Sequence, residues 1–442
     1  MRNISDNLFV HPNHRLIDGL ELNILKLIED SNKIISDRYS FHQFRMAVYT
    51  MFKVFTESYY NAFYPGFSDE RFIITAVAGL LSGKTVITNG TALDDDVRKI
   101  TEILVEDLDE ELYNQLIDDN ITNNKTGVII FHTSGSTGVP KHIPLSWLNI
   151  MACIHSFYME PSISHRDLSV ALYCLPKSHI YGFIMELLFT TTSTRMHYSS
   201  PMDLYRRYMT IRPSVLPIVP QILNIFYEKR LPLNVELLIC AGAPVRDEVR
   251  EFYSKTCPQF LNGYGTTEST ACISLSMNSN DNGICTIFNT ISISPEGELL
   301  AKGPTINRDS YDSDGWYHTK DLAFIDDNNR LHLIGRACGY IKLQQGEFIN
   351  LDELTRLYSI DGAEVCVYAN SLDRYPNIVV YLSDDGISVF TEDVLRNKFN
   401  DIHKHHGRKG FERINDIVVR NIKDLPITDT MKPDYHNIRT SI

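Results

Sequence analysis

Apolar residues recur at helical spacing through residues 15–63, and this pattern changes further along the chain. Two apolar faces with the three- and four-residue spacing of an amphipathic helix predict that 15–63 is largely helical. The members are Leu16, Leu20, Ile24, Leu25 and Ile28 in the first face, and Phe44, Met46, Val48, Met51, Val54 and Phe55 in the second.

From about residue 70, short apolar runs are separated by helical stretches. The runs at 85–88, 128–131, 170–173, 237–240 and 378–381 predict buried strands. Buried strands alternating with helices are typical of an α/β fold. Between 287 and 301, alternation around the turn at 295–298 predicts an antiparallel hairpin.

The length of 442 residues exceeds what one hydrophobic core usually organises, so we expect more than one domain. After Arg336 the pattern reads as hairpin, helix, strand, helix and strand, which is enough for a small independent unit. The sequence therefore predicts a large N-terminal domain over 1–336 and a small, mobile α+β domain over 337–442.

The composition disfavours several classes of protein. A net charge of −13 disfavours non-specific binding to nucleic acid. No segment reaches the ~20 apolar residues of a membrane span, and residues 1–7 lack the apolar core of a signal peptide. We therefore expect a cytoplasmic protein without a membrane partner. The eight cysteines form no Cys-x-x-Cys pair and are expected to be free thiols.

Residues 133–141 read Thr-Ser-Gly-Ser-Thr-Gly-Val-Pro-Lys and follow an apolar run directly. Glycine lets backbone N–H groups approach phosphate oxygens and lysine adds a positive charge, so the segment predicts a polyphosphate site. A Walker loop is excluded because Pro140 precedes Lys141 and His142 follows it. A polar surface loop is the alternative.

Two later segments supply groups that this one lacks. In 263–268 a tyrosine can stack on a purine, a hydroxyl can reach a phosphate and Glu268 can hold Mg²⁺, although an aromatic between glycines also occurs as a packing feature. Asp321 could accept from both ribose hydroxyls, and Arg336 could donate to them or to a phosphate. A surface Asp–Arg pair is the alternative for these two residues.

Seven motifs occur in a fixed order at 133–141, 175–182, 241–244, 263–268, 315–321, 335–342 and 425–432. Together they resemble the adenylate-forming superfamily, which comprises acyl- and aryl-CoA ligases, carrier-protein ligases and peptide-synthetase adenylation domains. The resemblance spans about residues 70–442. Each motif alone would be weak, but seven in register make chance an unsatisfactory explanation.

The resemblance implies an AMP-forming acid–thiol ligase whose large domain of βα subdomains includes a small β-barrel-like part. A carboxylate would attack the α-phosphate of ATP to give an acyl- or aryl-adenylate and pyrophosphate. A thiol would then displace AMP to give a thioester. The implied cofactors are ATP and Mg²⁺, and the implied acceptor is CoA or a phosphopantetheinyl acyl carrier protein.

The resemblance also implies roles for individual residues. Lys432 would reach the α-phosphate and the carboxylate during adenylation, Thr267 would meet the α-phosphate, and Glu268 would hold Mg²⁺. His179 would contact the substrate carboxylate, with a core histidine as the alternative. The implied nucleotide-binding residues are Thr133, Ser134, Gly135, Ser136, Thr137, Gly138 and Lys141 at the phosphates, Ala241, Gly242, Ala243 and Tyr264 at the adenine, Asp321 and Arg336 at the ribose, and Asn262, Gly263, Gly265, Thr266 and Lys342 with them.

Several features leave alternatives open. Cys338 stands where the superfamily usually has an Asp or Lys hinge, so a nucleotide-binding pseudoenzyme of the same fold is a second interpretation. Amino-acid-activating members usually have an aspartate in the segment corresponding to 178–182. Its absence here favours an aryl or acyl carboxylate, with amino-acid activation as the third interpretation.

Two further stretches can each be interpreted in two ways. Tyr181, Phe183 and Met185 could line an apolar pocket or belong to the core. The basic run 403–410 could meet a CoA phosphate or a carrier protein, or it could be a solvated loop.

Overall fold

The computed structural model describes residues 9–10, 33–36, 39–89, 97–100, 127–133, 141–160, 163, 168–279, 281–336, 340–345, 347–370, 372–427 and 433–441.

The helices are α1 Phe41–Glu57, α2 Arg71–Leu81, α3 Trp147–Tyr158, α4 Ile180–Thr191, α5 Leu204–Ile211, α6 Pro220–Glu228, α7 Asp247–Ser254, α8 Leu351–Leu357, α9 Asp384–Val389, α10 Glu392–His405 and α11 Tyr435–Thr440. Short 3-10 turns cover Arg308–Ser310, Gly410–Glu412 and Ile422–Asp424.

The strands are β1 Phe9–Val10, β2 Ala62–Pro65, β3 Thr85–Ile87, β4 Val97–Ile100, β5 Val128–Thr133, β6 Lys141–Ser146, β7 Val170–Tyr173, β8 Arg195–Tyr198, β9 Val215–Ile218, β10 Leu237–Ala241 and β11 Gln259–Tyr264. They continue with β12 Ser274–Met277, β13 Ile284–Cys285, β14 Thr290–Ile293, β15 Glu298–Lys302, β16 Tyr317–Ile325, β17 Leu331–Arg336, β18 Tyr340–Lys342, β19 Phe348–Asn350, β20 Ala363–Tyr368, β21 Asn377–Leu382 and β22 Ile417–Asn421.

Helix α1 begins at a capping box. The Ser40 hydroxyl accepts from the Gln43 N–H at 3.2 Å, and the Gln43 side chain accepts from the Ser40 N–H at 2.9 Å. The helical region predicted over 15–63 is confirmed over 41–57 but is wrong at 62–63, the first two of the four residues of β2. These four residues alternate half-buried and buried side chains and pair with β3 and β4, so sheet pairing overrides the helical spacing. Residues 15–32, 37 and 38 of the predicted helical region lie outside the described residues.

The apolar runs predicted to be buried strands are confirmed in β3, β5, β7, β10 and β21. All five residues of β10 are buried, as expected for a strand covered on both faces. The predicted hairpin is confirmed as β14 and β15, which are neighbours in one sheet and are joined by the turn at 294–297. The α/β fold class is therefore confirmed.

The chain divides into two compact units. Unit 1 consists of Met1–Ser292, Leu300–His318 and Asp326–Leu331, and unit 2 consists of Ile293–Leu299, Thr319–Ile325 and His332–Ile442. A five-stranded sheet has the order β1-β14-β15-β16-β17. The predicted domain boundary after Arg336 stays a prediction.

Unit 1 contains two further sheets. One has the order β13-β12-β11-β10-β9-β7-β8, in which β8, β7, β9, β10 and β11 run parallel. The other has the order β4-β2-β3-β5-β6 and ends in the antiparallel pair β5–β6. Two clusters of buried apolar side chains surround these sheets, because parallel strands are stable only where both faces are covered.

Unit 2 contains the three-stranded sheet β20-β21-β22 and the antiparallel pair β18–β19. Strand β21 is buried throughout, and its apolar side chains pack with α8 and α10 in a core of their own. Near the C-terminus, Tyr435 of α11 donates to Glu364 at 2.6 Å and Arg439 contacts Asp352 at 2.7 Å. Helix α11 is thus fixed to the unit by polar side chains.

A buried carboxylate joins two loops of unit 1. Asp281, between β12 and β13, forms a bidentate ion pair with Arg330 and accepts from the hydroxyls of Ser276 and Ser279 and from the Gly283 N–H. Burial alone would raise the pKa of Asp281, but these hydrogen bonds hold it well below its ordinary value.

Within the described residues, no helix combines the length and apolar composition that crossing a bilayer requires. The cytoplasmic location stays a prediction. Among the seven cysteines in the described part of the chain none forms a disulfide, and all seven are buried.

Candidate functional site

The carboxyl edge of the parallel sheet in unit 1 carries many of the candidate residues. Strands β7, β10 and β11 run parallel and therefore end at this edge, and the segments 174–179, 242–244 and 265–268 follow them. Ala241 and Gly263 are directly paired across β10 and β11, so the predicted adenine segments lie side by side. Ligands in open α/β sheets bind beyond the carboxyl ends of the strands, which is where the structure brings these segments together.

Asn262 at the end of β11 provides a buried hydrogen-bond acceptor. Asn262 is 4% exposed, and its Oδ1 has no hydrogen-bond partner among the described residues. A buried amide oxygen without a partner costs about 1–3 kcal/mol, which a ligand donor would offset. The exocyclic amino group of adenine is a donor of this kind, so the residue fits the predicted nucleotide.

The turn after β11 is tight and strained. Thr270 and Ala271 both have left-handed backbones, with φ of 52° and 72°. A side chain at Gly265 would collide with the Ala271 carbonyl oxygen, so only glycine fits there. The Thr266 hydroxyl lies 2.9 Å from the Tyr317 hydroxyl, and the Thr266 N–H donates to Ser269 at 2.8 Å. Such strain persists only where the surroundings hold it, and it concentrates at functional sites.

Buried groups hold this turn, while its candidate side chains remain reachable. The Thr270 hydroxyl donates to the Thr305 carbonyl at 2.6 Å, and the Asn307 N–H donates to the Glu268 carbonyl at 2.7 Å. Thr270 is fully buried, whereas Thr267 and Glu268 are half-buried. The arrangement fixes the backbone of a carboxylate that a ligand can still approach.

Asn149, which the sequence did not single out, connects the turn that contains 304–306 to helix α3. Its side-chain amide donates to the Pro304 and Ile306 carbonyls at 2.7 and 2.9 Å, and its Oδ1 accepts from the Ser146 N–H at 2.9 Å. Ser146 ends β6, the strand that begins at Lys141. The structure thus links the backbone around Glu268 to the strand that carries a predicted phosphate lysine.

The strands on either side of the predicted phosphate segment form a hairpin. Thr133 at the end of β5 and Lys141 at the start of β6 are direct cross-strand partners, and Lys141 is exposed. The structure therefore brings the two ends of the segment together. Ser134, Gly135, Ser136, Thr137 and Gly138 lie outside the described residues.

His179 precedes helix α4 and is half-buried. Its backbone N–H donates to the Pro176 carbonyl at 3.2 Å. Of the two interpretations of its neighbours, the structure supports core packing: Phe183 and Met185 are fully buried, and the Tyr181 hydroxyl donates to the Ile239 carbonyl at 2.9 Å.

A buried ion pair lies in the same segment and was missed from the sequence. Lys177 and Glu186 contact each other with side-chain exposures of 7% and 0%. Tyr198 donates to Glu186 at 2.7 Å, and the Lys177 ammonium lies 4.3 Å from the Tyr198 ring centroid. The only signal in the sequence was a glutamate within the otherwise apolar helix α4.

The predicted ribose residues lie together in unit 2. Arg336 donates to the Asp321 carboxylate at 3.0 Å and to the Thr319 carbonyl at 3.2 Å. The Asp321 side chain is only 13% exposed, whereas that of Arg336 is 53% exposed, so the pair is buried on the side of the carboxylate and exposed on the side of the guanidinium. Lys342 ends β18, and Lys432 and Cys338 lie outside the described residues.

The basic run at 403–410 is partly neutralised within unit 2. Arg408 forms ion pairs with Glu353 at 2.8 Å and with Glu412 at 2.7 Å. His403 lies 3.0 Å from the Tyr358 hydroxyl, and burial lowers the pKa of its imidazole. Lys404 and Lys409 remain exposed.

Comparison with known proteins identifies the family to which this chain belongs. The family of AMP-binding enzymes matches residues 68–304, which is more than half of the 442 residues. The chain belongs to this family. The resemblance to the adenylate-forming superfamily is thereby confirmed, and the matched region contains the strained turn at 265–271 and the hairpin β5–β6.

Curated relatives in this family include long-chain-fatty-acid–CoA ligase 1 of Schizosaccharomyces pombe, which is 22% identical over 70% of this chain and 59% of its own length. Long-chain-fatty-acid–CoA ligase 5 of Mus musculus is 24% identical over 69% of this chain and 59% of its own. The chain therefore spans about three fifths of the length of these relatives.

Solved structures of AMP-binding enzymes share the fold. O-succinylbenzoate coenzyme A synthetase from Bacillus subtilis, in complex with AMP, superposes with a TM-score of 0.71 at 16% identity, over 94% of this chain and 96% of its own. ATP-bound MatB from Rhodopseudomonas palustris gives a TM-score of 0.71 at 16% identity, over 95% and 98%. At this identity the likeness establishes the fold, and the roles of individual site residues stay predictions.

Proposed function

We propose that this chain is an AMP-forming acid–thiol ligase. A carboxylate attacks the α-phosphate of ATP to give an acyl- or aryl-adenylate and pyrophosphate, and a thiol then displaces AMP. The observation that carries the proposal is the pairing of Ala241 with Gly263 at the carboxyl edge of the sheet, beside the buried Oδ1 of Asn262, for which the described part of the chain provides no hydrogen-bond partner. A strained turn holding Glu268 follows directly.

Each group of site residues has a part in this proposal. Ala241, Gly242, Ala243 and Tyr264 flank the adenine, and Asn262 accepts from its amino group. Thr133 to Gly138 and Lys141 bind the β- and γ-phosphates, and Asp321 and Arg336 bind the ribose. Positioned cations against developing negative charge carry the chemistry, and Lys432 supplies one of them during adenylation.

Glu268 would hold Mg²⁺, which would supply positive charge at the phosphates of ATP. Among the described residues no group of three His, Cys, Asp or Glu side chains is close enough to form a metal cage. Mg²⁺ usually takes one or two carboxylates together with substrate phosphates and water, so a single half-buried carboxylate fits this ion. The ion would neutralise charge on the pyrophosphate that leaves.

The substrate that we propose is an aliphatic or aryl carboxylate without an ammonium group. The one acidic residue of α4, Glu186, is already paired with Lys177 and fully buried. A substrate ammonium would have to break that pair or remain unpaired, and both are costly. The proposed thiol acceptor is CoA, because the curated relatives are named as CoA ligases.

Pyrophosphate exchange tests the first half-reaction. Purified protein is assayed with ATP, Mg²⁺ and a panel of fatty, aryl and amino acids, and active acids are then tested for AMP release and thioester formation with CoA and with candidate carrier proteins. Exchange with a fatty or aryl acid and thioester formation with CoA are expected. Exchange driven by an amino acid would establish the third interpretation, and ATP binding without exchange would favour the pseudoenzyme.

Lys432→Ala tests the catalytic assignment. The variant is expected to slow adenylation by orders of magnitude, while thioester formation from a supplied acyl-adenylate persists, because the lysine acts only while charge develops at phosphorus. Lys423→Ala is the matched control, since Lys423 pairs with Asp384 at an exposed site of the same unit. Equal loss of both steps in the Lys432 variant would show that the residue is structural.

A further inference from the structure

A strained residue lies directly before Asp321. Lys320, inside β16, has a left-handed backbone with φ of 60°. A residue with a Cβ atom is unfavourable in this conformation, which therefore persists only where neighbouring groups hold it. Neighbouring side chains must therefore hold the backbone of Lys320, and they fix the position of the next residue, Asp321, as well.

Two acceptors on side chains hold the backbone N–H groups at this point. Glu298 accepts from the Lys320 N–H at 2.8 Å, and the Thr319 hydroxyl accepts from the Asp321 N–H at 3.1 Å. The same hydroxyl donates to the Leu299 carbonyl at 2.8 Å, so it ties Asp321 to strand β15. Thr319 is 2% exposed, which leaves it little freedom to move.

Thr319 also determines where Arg336 lies. Its carbonyl accepts from the Arg336 guanidinium at 3.2 Å, and the same guanidinium nitrogen donates to Asp321 at 3.0 Å. Thr319 therefore holds the backbone of Asp321 through the threonine hydroxyl and the guanidinium of Arg336 through the threonine carbonyl. All of these residues belong to unit 2.

We propose that Thr319 is a positioning residue for recognition of the ribose, acting through Asp321 and Arg336. The inference rests on the proposed function, in which these two residues bind the sugar of ATP. A carboxylate accepts from vicinal hydroxyls and a guanidinium donates to them, so the correct placement of both selects a ribonucleotide over one that lacks the 2′- and 3′-hydroxyls. Hydrogen bonds to charged groups make this preference about ten- to hundredfold.

The test measures the ratio of dissociation constants for ATP and 2′,3′-dideoxy-ATP with Mg²⁺, by calorimetry on the full chain. The variants are Thr319→Val, which removes the hydroxyl and keeps the shape, and Thr319→Ser, which keeps the hydroxyl. The wild type and the serine variant are expected to prefer ATP at least tenfold. The valine variant is expected to prefer ATP less than threefold, through weaker binding of ATP alone.

Thr355→Val is the matched control. Thr355 is buried in the same unit, and its hydroxyl makes the same pair of bonds, donating to the Leu351 carbonyl at 2.7 Å and accepting from the Val367 N–H at 2.9 Å. Its variant is expected to keep the preference of the wild type. Glu298→Ala removes the other acceptor, which holds the Lys320 N–H, and is expected to lower the preference for ATP over the dideoxynucleotide. This second variant keeps the test decisive if Thr319→Val fails to fold.

The outcomes separate this inference from the proposed function. A wild type that does not bind ATP, or that binds both nucleotides equally, overturns the assignment of the nucleotide site itself. A wild type that prefers ATP, with variants at 319 and 298 that prefer it equally, leaves the site in place and overturns the role of Thr319. Equal weakening of both nucleotides in Thr319→Val would make the residue merely structural.

Discussion

Breaking the buried pair between Lys177 and Glu186 should destabilise unit 1 far more than breaking an exposed pair. The two side chains are 7% and 0% exposed, and Glu186 Oε2 has no hydrogen-bond partner among the described residues. Lys177→Met therefore leaves a charged carboxylate in the core with only Tyr198 as a donor. Removing one partner of a buried pair costs about 3–5 kcal/mol, which corresponds to a lower Tm by about 6–20 °C.

The double variant gives the sharper result. Lys177→Met combined with Glu186→Gln removes both charges while an amide oxygen still accepts from Tyr198. Neutral replacement of a buried pair is often nearly free, so the double variant should lose at most about 2 kcal/mol. If Glu186→Gln alone also costs about 3–5 kcal/mol, because it leaves a buried ammonium, the coupling energy of the cycle should be at least about 4 kcal/mol.

The loss in Lys177→Met should depend on pH. Burial already raises the pKa of the Glu186 carboxyl, and Lys177 opposes that shift. Without the lysine, the pKa in the folded state rises further above its value in the unfolded chain, so the penalty appears as pH rises through the ordinary carboxyl range. The variant should lose more stability at pH 8 than at pH 5.

Denaturation followed by tryptophan fluorescence measures the free energy of unfolding of unit 1 in these variants. The chain has two tryptophans, Trp147 and Trp316, and both belong to unit 1, as does the ion pair. Lys255→Met is the control, since Lys255 pairs with Glu251 on the surface and its loss should leave the free energy of unfolding almost unchanged. A loss below about 1 kcal/mol in Lys177→Met, or additive effects in the cycle, would refute the reasoning.

Three further variants test other contacts by denaturation. Asp281→Asn should lower the free energy of unfolding by about 3 kcal/mol at pH 7. This difference from wild type should shrink as pH falls below about 4, because the carboxyl of Asp281, whose pKa is depressed, stabilises the folded state only while it is ionised. An unchanged difference at pH 3 would contradict this. Lys320→Gly should stabilise the protein by about 0.5–1 kcal/mol, because glycine adopts a φ of 60° without strain; a loss of stability would show that the lysine side chain matters more than its backbone. Asn149→Asp removes both hydrogen bonds that the Asn149 amide donates to the turn at 304–306, and it should lower the free energy of unfolding by about 2–3 kcal/mol. It should also raise the Mg²⁺ concentration required for half-maximal pyrophosphate exchange. An unchanged Mg²⁺ requirement would show that Asn149 does not affect the position of Glu268.

Local pattern was sufficient for much of the fold. The strands β3, β5, β7, β10 and β21 were predicted because buried strands need uninterrupted apolar residues, and the hairpin β14–β15 because its turn is encoded by adjacent residues. The helical prediction was wrong at 62–63, because pairing with distant strands decided the conformation there.

The sequence alone determined which chemical groups are present and in what order: glycine and hydroxyl turns, one carboxylate, one acid–base pair and one remote lysine. Only the tertiary structure decided which of them meet. The register of β10 with β11 places Ala241 beside Gly263, and helix α4 brings Glu186 into contact with Lys177. The Thr319 hydroxyl contacts both the Asp321 N–H and the Leu299 carbonyl of the neighbouring strand β15. The reason is that hydrogen bonds, ion pairs and strand registers join residues of different strands and helices, and their geometry depends on the packed core rather than on any local pattern.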